Sequence, residues 1–321
     1  MKLLFIGLDG LSFDIFEEFP MPFLHDMSDE GVRAKFMSFD DPYMCTGPVW
    51  TSVQTGIRPE EHGVTEPRPG VWHTAAFKDN VKTIWRRMNE KGLSCGLINY
   101  PVTYPLRPVD PFVVCGFPAP WEYGGTENPW DKVQFGGELF WPPELKEHVG
   151  GFRSAWMNYI PPEEYENTHE PYHAAQEGDP ESRNYIMALL HRSLHETARL
   201  AHILLRRYEV DVGVSVFMET DTLGHLGSAV PPVRREEFLF EVDNVVRELV
   251  LDCNPDNVIV MSDHGCWGQP HVKEGIFLAF GPAFGAGVKA EVEVLDVAPT
   301  ILYLICLLYT SDAADELDGV D

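Results

Sequence analysis

The chain has 321 residues, 44% of them hydrophobic and 23% charged, the balance of a folded globular enzyme rather than of a disordered chain. Against 24 Lys and Arg stand 50 Asp and Glu, a net charge of −26. A surface that negative repels phosphate backbones and anionic lipid, which sets aside nucleic-acid polymers and membrane surfaces as partners. No apolar stretch approaches the roughly 20 residues of a membrane-spanning helix.

Taken in chain order, the first element is a buried strand over Lys2–Leu8 that stops at Asp9-Gly10. Its apolar run is too short for a signal peptide and no small-residue cleavage site follows, so the expected location is the cytoplasm. Cys45-Thr46-Gly47-Pro48 opens a helix that Gly56 closes, with Thr46 expected as its N-cap. A hydroxyl there sits beside free backbone N–H groups and the positive dipole end, which is a ready anion site. A threonine hydroxyl is inert at neutral pH unless a base or metal activates it, and no Ser-His-Asp arrangement accompanies it.

Further on, the spacing predicts a helix over Asn80–Lys91 capped by Gly92, then a strand over Ser94–Ile98. Residues 101–180 hold half of the chain's 26 prolines and four of its eight tryptophans, and read as an irregular cap over the substrate cleft. Helical periods follow over Asn184–Tyr208 and Val233–Val250, and strands over Val212–Phe217 and Asn257–Met261. Alternating strands and helices make the expected fold α/β: a mostly parallel central sheet with helices on both faces. The expected organisation is a catalytic core over 1–103 and 183–305, interrupted by a cap-like insertion over 104–182.

The last segment is read separately. Residues 306–321, beginning Cys306-Leu307-Leu308-Tyr309-Thr310-Ser311, resemble a translated sequencing adapter, so the native chain is expected to run to about Ile305 and beyond what is written here. The tail holds five acids and no base, so residues 1–305 still carry −21. Six cysteines without paired spacing indicate neither a disulfide framework nor a zinc knuckle.

In parallel sheets, ligand groups gather beyond the carboxyl ends of the strands. Asp9, Asp221 and Asp263-His264 all fall there. Asp221-x3-His225 and His271 complete a set of three Asp and three His, enough for two divalent ions with about three side chains each. Mixed carboxylate and imidazole ligation points first to zinc, with manganese or iron as alternatives. Two such cations would let so acidic a protein bind a small phosphate ester. His191 and His195 stand four apart on a helix, but without the H-E-x-x-H glutamate they are read as structural, as is His62. Glu219 lies close to Asp221, but in a strand it would alternate faces with its neighbours, so it too is read as structural and not as a support for Asp221.

The order Asp9-Gly10, Thr46-x-Pro48, Thr55-Gly56, His62-Gly63, Asp221-x3-His225, Ser262-Asp263-His264-Gly265 and His271-x3-Gly275 resembles the alkaline phosphatase superfamily, in particular its type I phosphodiesterase/nucleotide pyrophosphatase branch. Asp296-Val-Ala-Pro-Thr-Ile-Leu is similar to that family's late helix. The resemblance implies that Asp221, His225 and His271 hold one metal, and that Asp9, Asp263 and His264 hold the other, which also touches Thr46. It implies Thr46 as a nucleophile that is transiently phosphorylated before water hydrolyses the intermediate. Sulfatases of the superfamily need Cys or Ser, and an Arg four residues later. Thr46 and Trp50 stand there instead, which argues against that chemistry. Characterised nucleotide pyrophosphatases carry an Asn shortly after the His-Gly pair. Here Thr65-Glu66-Pro67-Arg68 follows, with Arg68 as the candidate replacement donor. The reading is therefore a phosphodiesterase or nucleotide-pyrophosphatase-like enzyme. Its rivals are a phosphomonoesterase or phosphomutase of the same superfamily, or a non-catalytic metal-binding homologue.

Overall fold

The computed structural model describes residues 1–65, 74, 77–78, 80–119, 138–149, 171–268 and 270–305. In chain order these form β1 (Leu3–Leu8), α1 (Phe13–Glu18), α2 (Pro22–Asp29), β2 (Val32–Met37), α3 (Thr46–Thr55), α4 (Pro59–His62), α5 (Ile84–Glu90), β3 (Cys95–Tyr100), β4 (Pro111–Cys115), β5 (Phe140–Trp141) and α6 (Lys146–Val149). Then come α7 (Pro180–Arg207), β6 (Val212–Phe217), α8 (Glu219–Leu226), α9 (Pro232–Cys253), β7 (Asn257–Met261), β8 (Glu274–Phe280), β9 (Val288–Glu293) and α10 (Val294–Leu304).

The strands form one nine-stranded sheet in the order β5-β4-β3-β6-β1-β7-β8-β2-β9. β1 lies between β6 and β7, parallel to both, and β3 extends the parallel run to β4. Only β5 and β8 run the other way among the described strands. β1, β3, β6 and β7 are buried along their whole length, as strands covered on both faces must be, and this is why they read in sequence as unbroken apolar runs. On one face Leu4, Ile6 and Leu8 pack with Leu194, Ala201 and Leu204 of α7 and Phe238 and Val242 of α9. On the other, Leu3 and Phe5 pack with Val49, Trp50 and Val53 of α3, Trp85 of α5 and Val297 of α10. The expected α/β architecture with helices on both faces is the observed one.

Three boundaries differ from the sequence reading. The helix expected from Asn80 begins at Ile84, because the Thr83 side chain accepts the Arg86 N–H and caps it there. The helices around 184–208 and 233–250 start earlier, each at a proline in the first turn. The sheet also reaches into the span read as a cap, since β4 and β5 lie within 104–182. Of the span read as a cap, 120–137 and 150–170 lie outside the described residues, as does the adapter-like tail 306–321.

Candidate active site

The carboxyl ends of β1, β6 and β7 deliver the site. β1 ends in Asp9-Gly10, and Gly10 sits at φ 67, where a side chain is strained. A Cβ there would also come within 2.5 Å of Asp221 Oδ1 and 2.7 Å of its Cα, so glycine lets the β1 turn press against α8. Two further bonds bind the three strand ends together. Gly10 N–H donates to Asp263 Oδ1 at 3.1 Å, and Thr220 Oγ1 donates to the Asp9 carbonyl.

α3 brings in Thr46. Its N-cap is Cys45, with extended backbone at φ −160, and not Thr46 as expected. Thr46 is instead the first helical residue, and Gly56 closes the helix in the left-handed conformation at φ 74. The position still lies at the dipole's positive end, where the opening N–H groups lack intrahelical acceptors. Thr46 Oγ1 donates to Asp9 Oδ1 at 3.4 Å, while the indole Nε1 of Trp50, one turn along α3, donates to Asp9 Oδ2 at 2.7 Å. Trp50 is fully buried and holds the carboxylate oxygen of Asp9 that the threonine does not. His62 anchors the middle of the same helix. Its Nδ1 accepts the Val64 N–H, so Nε2 carries the proton and donates to Ser52 Oγ at 3.0 Å. Burial holds this imidazole down at a pKa of about 4, and its role is to fix α3.

The six acid and imidazole side chains singled out in the sequence fall into two groups, in each of which the ligand atoms lie within 4.8 Å of one another. One contains Asp9, Asp263 and His264, all buried; the other contains Asp221, His225 and His271, together with Cys266. The groups abut, because the His264 and His271 rings stack with centroids 4.1 Å apart. Backbone carbonyls orient both rings: Nδ1 of His271 meets Met44 O at 3.2 Å and Nδ1 of His264 meets Gly265 O at 3.4 Å. Each ring is thereby left with Nε2 facing its carboxylates, the arrangement seen where histidines serve metals.

The donor geometry passes a test for divalent ions. His264 Nε2 and Asp263 Oδ2 lie 3.2 Å apart, yet both are buried without a hydrogen-bond partner. His225 Nε2 lies 3.3 Å from Asp221 Oδ2 and 3.2 Å from His271 Nε2. Two nitrogen or oxygen ligands at the bond lengths of a tetrahedral zinc stand about 3.3 Å apart. The charges point the same way. Burial, and then the neighbouring carboxylates Asp263 and Asp221, push the Asp9 carboxyl well above the ordinary range, and Asp263 is pushed up by burial and Asp221. Asp221 is held low despite its burial, because His225, His264 and His271 surround it. His225 is raised in return by Asp221, and burial beside His271 lowers His264 to about 3. Among the described residues no Lys or Arg forms an ion pair with any of the three aspartates. Cations at this edge would let all three ionise together.

Other residues sort themselves around this centre. Glu219 is the first residue of α8 and not a strand position. Fully buried, it accepts from Ser193 Oγ at 2.5 Å, and burial pushes its carboxyl up to about 7. His191 and His195 both meet Glu241 of α9 and so clamp two helices. Arg68 lies outside the described residues. Sequence reasoning missed Trp50 as a partner of Asp9, and it missed Cys266, although the run Asp263-His264-Gly265-Cys266 placed that thiol beside two expected ligands. It also missed residues 171–176, where Gln176 Nε2 donates to the His225 carbonyl at 3.2 Å and reaches Tyr172 Oη at 3.4 Å. A 450 Å³ cleft lined by Asp40, Tyr43, Arg58, Lys273 and Glu293 opens at the same sheet edge.

Comparison with known proteins follows the same lines. The sequence matches the family model described as type I phosphodiesterase / nucleotide pyrophosphatase over residues 3–279. Comparison with curated proteins finds no match. Among solved structures, human ectonucleotide pyrophosphatase/phosphodiesterase 5 is similar in fold, with a TM-score of 0.58 at 12% identity over 95% of each chain. The murine protein of that name, an inactive variant in complex with AMP, has a TM-score of 0.56 at 12% identity, again over 95% of each chain.

Proposed function

From its membership of the type I phosphodiesterase / nucleotide pyrophosphatase family, to which this chain belongs, we propose that this phosphoric ester hydrolase is a two-metal phosphodiesterase. Its nucleophile is Thr46, and Asp9, Asp263, His264, Asp221, His225 and His271 are its metal ligands. One observation carries the proposal: two adjacent groups of ligand-type side chains flank a threonine hydroxyl at a helix N-terminus. The metals are zinc foremost, with manganese or iron as alternatives. The enzyme acts in the cytoplasm on a small phosphate ester. The complex of the murine relative with AMP supports a nucleotide-like substrate.

When bound, two divalent ions neutralise phosphoryl oxygens, lower the pKa of the entering hydroxyl or water, and stabilise the leaving oxygen. The chain's own residues supply the rest. Asp9 Oδ1 holds the Thr46 hydroxyl in place, and Trp50 fixes the other oxygen of the same carboxylate, so the nucleophile has one orientation. Thr46 Oγ1 gives its proton to solvent and attacks phosphorus as the bond to the ester oxygen breaks; the leaving oxygen takes a proton from solvent, and a phosphothreonine remains. Water then attacks the same phosphorus, the bond to Thr46 Oγ1 breaks, a phosphate monoester departs, and Thr46 regains a proton from that water. The open N–H groups at the start of α3 face the phosphoryl charge. A diester also suits the site's charge better than a dianionic monoester, because no Lys or Arg pairs with the site's aspartates among the described residues.

The test compares bis-p-nitrophenyl phosphate with p-nitrophenyl phosphate on zinc-loaded protein. A higher kcat/KM for the diester is expected. A strong preference for the monoester would overturn the diesterase reading.

A further inference from the structure

Cys266 is the one member of the two ligand groups that the family pattern did not supply. It stands two residues after His264, is 2% exposed, and its Sγ lies within 4.8 Å of ligand atoms of Asp221, His225 and His271. Its backbone is locked on two sides. Cys266 N–H donates to the Gly10 carbonyl at 2.7 Å, and Gly268 N–H donates to the Gly224 carbonyl at 2.8 Å. Gly224 lies on α8 between Asp221 and His225, and a Cβ there would collide with the Cys266 carbonyl. The thiol therefore sits at the seam where the β1 turn, α8 and the loop after β7 meet. Its contact to the Gly268 carbonyl is a long one, 3.7 Å, and its Sγ also lies against the Asp221 carboxylate. Asp221 Oδ1, in the same group, is buried without a hydrogen-bond partner.

We propose that Cys266 is a fourth protein ligand, as thiolate, of the ion held by Asp221, His225 and His271, and that it tunes this half of the pair toward thiophilic metals. The inference rests on the two-metal reading above and extends it. The thiol proton passes to solvent as the ion binds. One aspartate, two imidazoles and a thiolate make four protein donors, and a zinc ion that expands to five ligands would still take the phosphoryl oxygen or water. A soft thiolate strengthens the preference for zinc over manganese or magnesium beyond that of carboxylate and imidazole alone. Zinc, cobalt and cadmium are the ions this group selects.

Cobalt tests both layers at once. The full chain is stripped with a chelator and loaded with Co²⁺, and the spectrum is compared with that of Cys266→Ser. Visible d–d bands report that the imidazole and carboxylate donors hold the ion. A near-ultraviolet thiolate-to-cobalt charge-transfer band reports the sulfur. The expected result is both bands in the wild type, and in Cys266→Ser the d–d bands alone, with a zinc-over-manganese preference lowered about tenfold or more. Visible bands without charge transfer, or a charge-transfer band that survives Cys266→Ser, would overturn the Cys266 assignment and leave the metal pair standing. Absence of both bands would overturn the two-metal reading itself. Should Cys266→Ser fail to fold, alkylation of wild-type protein decides the matter by mass mapping. Zinc should protect Cys266 from N-ethylmaleimide, and equal labelling with and without zinc would overturn the inference.

Discussion

Trp50→Phe isolates the support of Asp9. The substitution keeps an aromatic ring against Phe5 and Tyr100, whose centroids lie 6.3 and 5.5 Å from that of Trp50, but removes the N–H that donates to Asp9 Oδ2 at 2.7 Å. With the Asp9 carboxyl held well above its ordinary range in the metal-free chain, this is a bond between neutral groups, which contributes about 0.5–1.5 kcal/mol. The smaller ring also leaves a void where the far end of the indole packs over Gly7, at about 24 cal/mol per Å³, or about 1 kcal/mol for a void of about 40 Å³. The metal-free chain should therefore lose about 1.5–2.5 kcal/mol in urea unfolding. The diagnostic quantity is metal affinity. If the indole holds Asp9 in its ligating orientation, chelator competition should show zinc bound about 10- to 100-fold more weakly at one of the two sites, the effect typical of lost partners behind metal ligands. Zinc affinity within about twofold of the wild type, alongside the stability loss, would show that Trp50 only fills space and would refute the reasoning.

Thr46→Ala should abolish turnover, with a loss of at least about 10³-fold, and leave the zinc content per chain unchanged. Undiminished turnover would remove Thr46 from its role. The metal-free protein should lose stability as pH rises above 6.5. Asp9 and Asp263 have folded pKa values raised above their unfolded ones, Glu219 is raised to about 7, and His225 is raised as well, so the native state there binds more protons than the unfolded chain. Each proton held in excess costs about 1.4 kcal/mol per pH unit. Groups at the site with lowered values, His62 at about 4, His264 at about 3 and the Asp221 carboxylate, act below 6.5 and oppose the trend only there. Urea unfolding at pH 6.5 and 8 measures the drop, and saturating zinc should flatten it. A metal-free stability that is flat or rising across that window would contradict the electrostatic account.

The parts of this molecule legible in the sequence were those built from continuous local patterns. β1, β6 and β7 announce themselves because strands buried on both faces need apolar residues at every position, and each run ends near the carboxylate it delivers. β9 gave no such signal. It is an edge strand of Lys, Glu and Val, largely exposed, whose charges suit an unpaired edge and look like a loop. β4 hid in a proline-rich stretch whose composition masked five strand residues at the sheet's far side. Within the candidate site, strand ends and D-x3-H spacing pointed to Asp9, Asp221, His225, Asp263 and His264, while His271 was read from its place after His264 and the family resemblance. The Trp50 contact to Asp9 spans 41 positions and no period encodes it. Cys266 lacked a partner cysteine in sequence, so its meaning came from the fold, which sets it against α8. Thr46 was placed one position off because an N-cap is defined by backbone angles, and Cys45 adopts the extended ones.

The central claim is spatial, and anomalous X-ray scattering at the zinc edge tests it most directly. Crystals grown with zinc should show two peaks in each chain, one amid Asp9, Asp263 and His264, the other amid Asp221, His225 and His271. Zinc bound elsewhere, or fully loaded crystals with no peak between those side chains, would contradict the account.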